Sequence, residues 1–307
     1  MPGELSRRDF VKGSAAAAAL ALGTGALGAE PPAAAPAGDA LPKGKIGKME
    51  ISRILLGGNL LTHFTHSRDL RYVYALAAHY NTDAKILETL AVAEANGVNA
   101  LVIHTVPSAL KVLEQHRKRG GKMQWIICST APIEDAAKYS QSIQQLVDMG
   151  TEAIYVWGCH ADGLTGAKVG VLAKAVEIIK ASGALCGVGA HQLAVVQAVE
   201  KEKIPADFYI KTFHHHNYPS AKLNHDSMWC SNPDETKKVM ETVEKPWIAF
   251  KVMAAGAIPP RDAFTYVFQN GADFSLAGMF DFEIAEDVAI AKQVLAGIKD
   301  RARPWRG

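Results

Sequence analysis

Between Ile51 and Phe280, short apolar runs alternate with segments whose apolar residues fall at helical spacing. The runs are Ile51 to Gly58, Ala100 to Thr105, Gln124 to Thr130, Ala153 to Cys159, Leu185 to His191, Phe208 to His214, Trp247 to Met253 and Phe274 to Phe280, eight in all. Between them, Ile86, Leu90, Ala93 and Val98 in the first intervening segment, or Val239, Thr242 and Val243 in the sixth, mark helix faces. Helix starts read from Thr82-Asp83, Pro107-Ser108, Glu134-Asp135, Pro233-Asp234 and Pro259-Pro260. Gly97, Gly150, Gly183 and Gly271 stand where a helix should stop, since glycine takes the left-handed conformation at low cost. Strand and helix alternating in this way predict an α/β fold with a parallel sheet, and eight units predict its closure into a (β/α)8 TIM barrel. An open doubly wound sheet would carry a phosphate-binding glycine fingerprint after its first strand, which Gly57-Gly58 lacks.

The first thirty residues follow a different pattern. Ser6-Arg7-Arg8-Asp9-Phe10-Val11-Lys12 precedes an alanine-rich apolar run from Ala15 to Leu27, with small residues near Ala26 to Ala29. This reads as a twin-arginine signal peptide over residues 1–29, so the precursor's first partner is the twin-arginine export machinery and its destination the periplasm or beyond. The run is broken by Gly13, Gly23, Gly25 and Gly28 and falls short of the ~20 residues of a membrane span, which argues against a stable anchor. Residues 30–44, rich in Ala, Pro and Gly, read as a flexible linker, leaving 45–307 for the barrel. The formal net charge is +2, so no basic footprint for nucleic acid is present. Cys128, Cys159, Cys186 and Cys230 lack paired-metal spacing and read as buried thiols, with a disulfide as the alternative in an oxidising compartment.

Two connections exceed what a scaffold needs: Asn59 to Asn81 and His215 to Asn232, both following a strand and hence on the catalytic face of a barrel. Strand alternation turns Trp247, Ala249, Lys251 and Met253 inward on the seventh run, and Tyr209, Lys211 and Phe213 inward on the sixth. On the second run Leu101 and Ile103 face out and His104 in. Lys211 and Lys251 without an evident carboxylate partner would hold an anionic ligand group, or act as a neutral amine, unless they reach the solvated mouth. Histidines crowd the strand ends. His104 and His191 are candidates for proton transfer, and His104, His191 and His215 for a shared divalent metal. Asn59, His63, Trp157, His160 and Tyr218 are candidate substrate contacts. Aromatics among polar groups suit a sugar ring, and aromatics that merely close loops onto a barrel would look the same.

Ile51-Ser52-Arg53-Ile54-Leu55-Leu56-Gly57-Gly58, Ala95-Asn96-Gly97-Val98-Asn99, Gly187-Val188-Gly189 and Gly278-Met279-Phe280, in this order, resemble segments of the aldo-keto reductase superfamily of barrels. The resemblance implies a nicotinamide cofactor (NADP), an aspartate after the second strand with a nearby tyrosine, a lysine on the third strand and a histidine on the fourth. Here His104 stands at the aspartate position, no tyrosine lies in Val106 to Leu110, and the third strand ends in Cys128-Ser129-Thr130. His160 is the one match, and Asp281-Phe282-Glu283 replaces the basic nucleotide-binding segment. The reading that follows is a reductase-like barrel turned to proton-transfer chemistry of the lyase, isomerase or hydrolase type on a small polar, sugar-like or acidic substrate. Two others stand beside it: a divergent NADP-dependent oxidoreductase, and a non-catalytic periplasmic ligand-binding barrel. Replacing Arg7 and Arg8 together by lysine is expected to hold the precursor in the cytoplasm; normal export in cell fractionation would remove the twin-arginine reading.

Overall fold

The structure is a computed structural model that describes residues 40–221 and 226–307. The signal peptide and most of the linker lie outside the described residues. Lys43 and Gly44, which composition assigns to the linker, belong instead to a hairpin, β1 (Lys43–Ile46) with β2 (Met49–Ser52), paired antiparallel.

Eight parallel strands follow: β3 (Ile54–Gly57), β4 (Ala100–His104), β5 (Gln124–Ser129), β6 (Ala153–Val156), β7 (Leu185–Ala190), β8 (Phe208–Thr212), β9 (Trp247–Phe250) and β10 (Phe274–Ala277). They close in sequence order, β10 pairing with β3. Seven of them start where a predicted run starts and stop earlier, because the last residues of the run turn into the loops at the barrel mouth, whereas the first run, Ile51 to Gly58, is divided, Ile51 and Ser52 belonging to β2 and Ile54–Gly57 to β3. The helices are α1 (Tyr72–Tyr80), α2 (Asp83–Ala95), α3 (Pro107–Lys118), α4 (Ala136–Asp148), the short α5 (Gly158–Ala161), α6 (Val169–Ala181), α7 (Leu193–Lys201), α8 (Pro233–Thr242), α9 (Pro260–Gln269) and α10 (Asp281–Gly297). Thr82 and Asp135, from the predicted helix starts, accept the backbone N–H of Lys85 and Lys138, and Asn232, just before the predicted start at Pro233, accepts that of Glu235. The four predicted stop glycines, 97, 150, 183 and 271, all have positive φ. On α8 the buried positions are Thr236 and Met240 rather than the Val239 and Thr242 chosen by spacing.

The interior is the point at which strand alternation misleads. Phe208, Ile210, Ile248 and Phe274 meet Leu55, Val102 and Tyr155 inside the barrel, together with Ile46, Met49 and Ile51 of the hairpin, which plugs its lower end. Tyr209, Phe213, Trp247 and Ala249 belong to the outer layer beneath the helices. The expected directions on β8 and β9 are therefore reversed, while β4 behaves as predicted, with Ala100 and Val102 inside. Strands of a closed parallel barrel are buried on both faces, so apolar alternation alone does not say which face is inner. β7 offers glycine to the interior: a Cβ on Gly187 would lie 2.4 Å from the Phe208 ring, so this strand yields its share of the interior to Phe208 and Tyr155.

At the lower end the fully buried Asp273 accepts hydrogen bonds from Trp247 N (2.9 Å), Arg306 N (2.7 Å) and Arg303 (3.2 Å), tying β9 to the C-terminal segment. All four cysteines are free; Cys128, Cys186 and Cys230 are buried as read from the sequence, whereas Cys159, at the barrel mouth, is exposed. No helix among the described residues is long and apolar enough to cross a membrane. Asp273→Ala strands a buried guanidinium and is expected to cost about 3–5 kcal/mol, roughly 10 °C in Tm, in a thermal melt.

Candidate active site

The C-terminal ends of the strands open into a cavity of about 540 Å³. Its floor is apolar, from Val102, Tyr155, Ile210 and Leu276, and its polar groups come from the loops above. The predicted residues His104, His191, Lys251, Asn59 and Trp157 all line it.

Lys251 enters the cavity for a reason unrelated to alternation. Strand β9 ends at Phe250, and Lys251 adopts a left-handed backbone (φ 56°). That turn brings into the mouth a side chain that strand parity on the observed face would send outward with Trp247 and Ala249. Its Nζ lies 3.8 Å from the centre of the Trp229 ring and donates to Nε2 of His66. Burial pushes the Lys251 ammonium down to about 7, with the nearby Asp226 charge holding it from falling further.

His66 is the middle of a chain. Its Nδ1 is 2.9 and 3.0 Å from the two carboxylate oxygens of Asp226, which also accepts from Tyr74 Oη at 2.9 Å. Burial and the Lys251 charge push the imidazole down to about 4, Asp226 opposing them. His66 is therefore neutral at pH 7; Nδ1 carries the proton toward Asp226 and Nε2 receives the lysine. A second pair faces it across Trp229. His191 Nδ1 is 2.7 Å from Asp162, whose other oxygen accepts the backbone N–H groups of His191 and Gln192, each at 2.9 Å. Burial alone would raise Asp162, but the bonds from His191 and Gln192 outweigh it and hold the carboxyl below its ordinary value. The His191 ring lies 5.4 Å from Trp229 between centres. Trp229 Nε1 is buried without an acceptor among the described residues, leaving a donor on the cavity wall for a ligand oxygen. His104, lowered by burial, stacks on Trp157 at 6.2 Å and 16°.

The other predicted residues lie elsewhere. Lys211 is in the outer layer, buried without a carboxylate among the described residues, its Nζ donating to Thr212 O (2.8 Å) and Oγ1 (3.0 Å). His160 turns away and packs edge-on against Trp157, 5.0 Å between centres. His63 is exposed and bonds Asn81 O, and Tyr218 is buried with its hydroxyl on Ser227 O. His215 points outward, Nε2 3.2 Å from Asp262 and ring on Tyr266, so the structure does not bring it to His104 and His191. Among the described residues no three His, Cys, Asp or Glu side chains form a ligand set. His214 serves the structure: fully buried, it accepts from Trp229 N (3.1 Å) and Cys230 N (3.0 Å), pinning the second long loop so that Trp229 faces Lys251.

Residues 4–24 match the twin-arginine translocation pathway signal sequence family. The precursor is thus exported by that pathway to the periplasm or beyond. No curated protein matches the chain. Among solved structures, a Pseudomonas aeruginosa protein described as an aldo-keto reductase superposes at TM-score 0.58 with 19% identity, over 84% of this chain and 97% of its own. The fold is that of the aldo-keto reductases. An aldo-keto reductase from Bacillus halodurans superposes at 0.56 with 10% identity, over 85% and 92%. An N-acetylneuraminic acid synthetase from Leptospira borgpetersenii reaches 0.50 with 13% identity, over 86% and 93%. At these identities the likeness is one of fold, and barrels of this kind host unrelated reactions.

The nicotinamide cofactor that the resemblance implies needs a basic or neutral cradle for its phosphates. The start of α10 supplies Asp281, Glu283 and Asp287 instead. Asp281 is matched by Lys85 (3.2 Å) and Tyr80 (2.7 Å), whereas Asp287 is buried and has no partner among the described residues, and burial beside Glu283 and Glu286 raises it to about 7. These residues do not fit a nucleotide phosphate.

Because the Asp226 charge supports the Lys251 ammonium, Asp226→Asn is expected to move the pH midpoint of Lys251 acylation, followed by peptide mass spectrometry, from about 7 to a lower value. An unchanged midpoint would disconnect Asp226 from the lysine.

Proposed function

We propose that this exported barrel is an enzyme that uses the amine of Lys251 on the carbonyl group of a small substrate, in proton-transfer chemistry of the lyase or isomerase type. The observation that carries the reading is the chain Asp226–His66–Lys251 inside a largely apolar cavity. An amine with a pKa near 7 is about half neutral at neutral pH, whereas an ordinary lysine at ~10.4 is almost wholly charged. The lysine donates one N–H to His66, which leaves its lone pair for a carbonyl carbon. Addition forms the C–N bond, and loss of the carbonyl oxygen as water gives the imine. Once protonated on nitrogen, that imine draws electrons from the neighbouring C–H, and the proton released passes to His191, oriented by Asp162. The free Trp229 Nε1–H suits the substrate oxygen while it carries charge.

The apolar floor favours a substrate with one polar end over a many-hydroxyl sugar, which would leave its hydroxyls unpaired against Val102, Ile210 and Leu276. His104, facing only aromatic neighbours, is assigned to substrate positioning.

The experiment is reductive trapping. Mature protein incubated with small aldehydes and ketones and cyanoborohydride is expected to gain the mass of one reduced adduct on Lys251, with a pH midpoint near 7. Lys251→Met should lose the adduct while retaining its fold, and Lys211→Met should keep it. Equal labelling of wild type and Lys251→Met would end the amine reading.

A further inference from the structure

Part of the cavity wall is formed by the later residues of the loop after β9, Ala255 to Pro260, and by the first turns of α10. Phe280, Glu283 and Asp287 line it. Glu283 commits one oxygen, Oε2, to the backbone N–H of Phe280 at 2.9 Å, closing the first turn of the helix, and Oε1 has no partner among the described residues. Asp287, one helical turn further on, is 6% exposed and receives neither a hydrogen bond nor an ion pair from any described residue. Charged groups in the neighbourhood do not supply the missing partner. Glu286 adds to the negative charge; Lys85 is engaged by Glu88 and Asp281; Arg261 on α9 reaches Gln293 instead.

A buried carboxylate beside a second one on the same helix face is costly without a counter-charge, since like charges at this spacing repel and burial weakens their solvation. α10 bears that cost where it opens onto the cavity. The ring of Phe280 lines the same wall, with Phe282 stacked on it at 5.4 Å and 5°. Two carboxylates and an aromatic face have the chemistry of a receptor for a positively charged nitrogen.

We infer that Asp287, with Glu283 and Phe280, forms a subsite for an ammonium group, so that the ligand of this cavity carries a protonated amine in addition to its reacting carbonyl. The inference rests on the proposed function only in assigning both groups to one substrate; the subsite itself stands on Asp287. An ammonium head gives Asp287 its missing partner, and an alkyl spacer crosses the apolar floor. A phosphate or carboxylate here would face two acids.

The test is calorimetric titration of mature protein at pH 8 with three probes of one length: hexylammonium, hexanol and hexanoate. Hexylammonium is expected to bind about tenfold or more tighter than hexanol, the gain of a charge-assisted pair, and hexanoate most weakly. Asp287→Asn keeps the shape and removes like-charge repulsion, so its melting temperature should equal or exceed that of wild type at pH 8. It should lose the preference for hexylammonium and retain hexanol binding. Hexylammonium binding no better than hexanol, or undiminished in a folded Asp287→Asn, overturns the subsite, as does a preference for hexanoate. Lys251→Met should bind hexylammonium as wild type does, so loss of the imine chemistry and loss of the ammonium subsite are read separately.

Discussion

The site depends on one contact between loops far apart in sequence: the imidazole of His66 on the carboxylate of Asp226. The first belongs to the connection leaving β3 and the second to the connection leaving β8, and Tyr74 of the first connection bonds the same carboxylate. With Asp226 as acceptor, His66 keeps its proton on Nδ1 and presents a lone pair at Nε2, and that lone pair orients the lysine. The surrounding architecture serves this contact. His214 fastens the second loop through the backbone of Trp229 and Cys230, and Tyr74, on the helix that ends the first loop, shares the Asp226 carboxylate. The lowered lysine pKa follows from burial among aromatic rings, with the Asp226 carboxylate reaching the amine through an imidazole.

Much of the scaffold is legible in the amino-acid sequence because it is written locally. Helix caps, stop glycines and the spacing of apolar runs each concern a few neighbouring residues, and they locate all eight strands. What fails is the assignment of faces. On β8 and β9 both faces are apolar, so alternation places Tyr209, Lys211, Trp247 and Ala249 inside although they lie outside. Lys211 is absent from the site for that reason, and Lys251 enters it through a backbone turn that alternation does not describe. Of the residues that surround the lysine, His66 stands out only as one of several polar residues in a long loop, and Asp226, 160 positions away, carries no signal. Asp287 looks like an ordinary charge on a helix, since whether such a carboxylate meets water or a cavity is decided by the packing of α10 against the strand ends.

With the aldo-keto reductase structures this barrel shares its fold. The barrels superpose over most of their length, and at its mouth this chain brings Lys251, His66 and Asp226 together, with Glu283 and Asp287 also lining the cavity. Strand ends and loops can be rewritten in this way because the lower end is fastened independently, by the hairpin plug and by Asp273 with its arginine and backbone donors. Stability and chemistry are thus held at opposite ends of the barrel, the arrangement that lets one scaffold host many reactions.

An exported protein has no cytosolic buffer around it. A lysine that titrates at about 7 therefore takes its charge state from whatever medium surrounds the cell. For each pH unit below that value its neutral fraction falls about tenfold, and above it the fraction saturates. The left-handed turn at Lys251, by burying the amine in the cavity, thereby ties its charge to the pH outside the cytoplasm: acid surroundings protonate it and neutral ones leave about half of it uncharged.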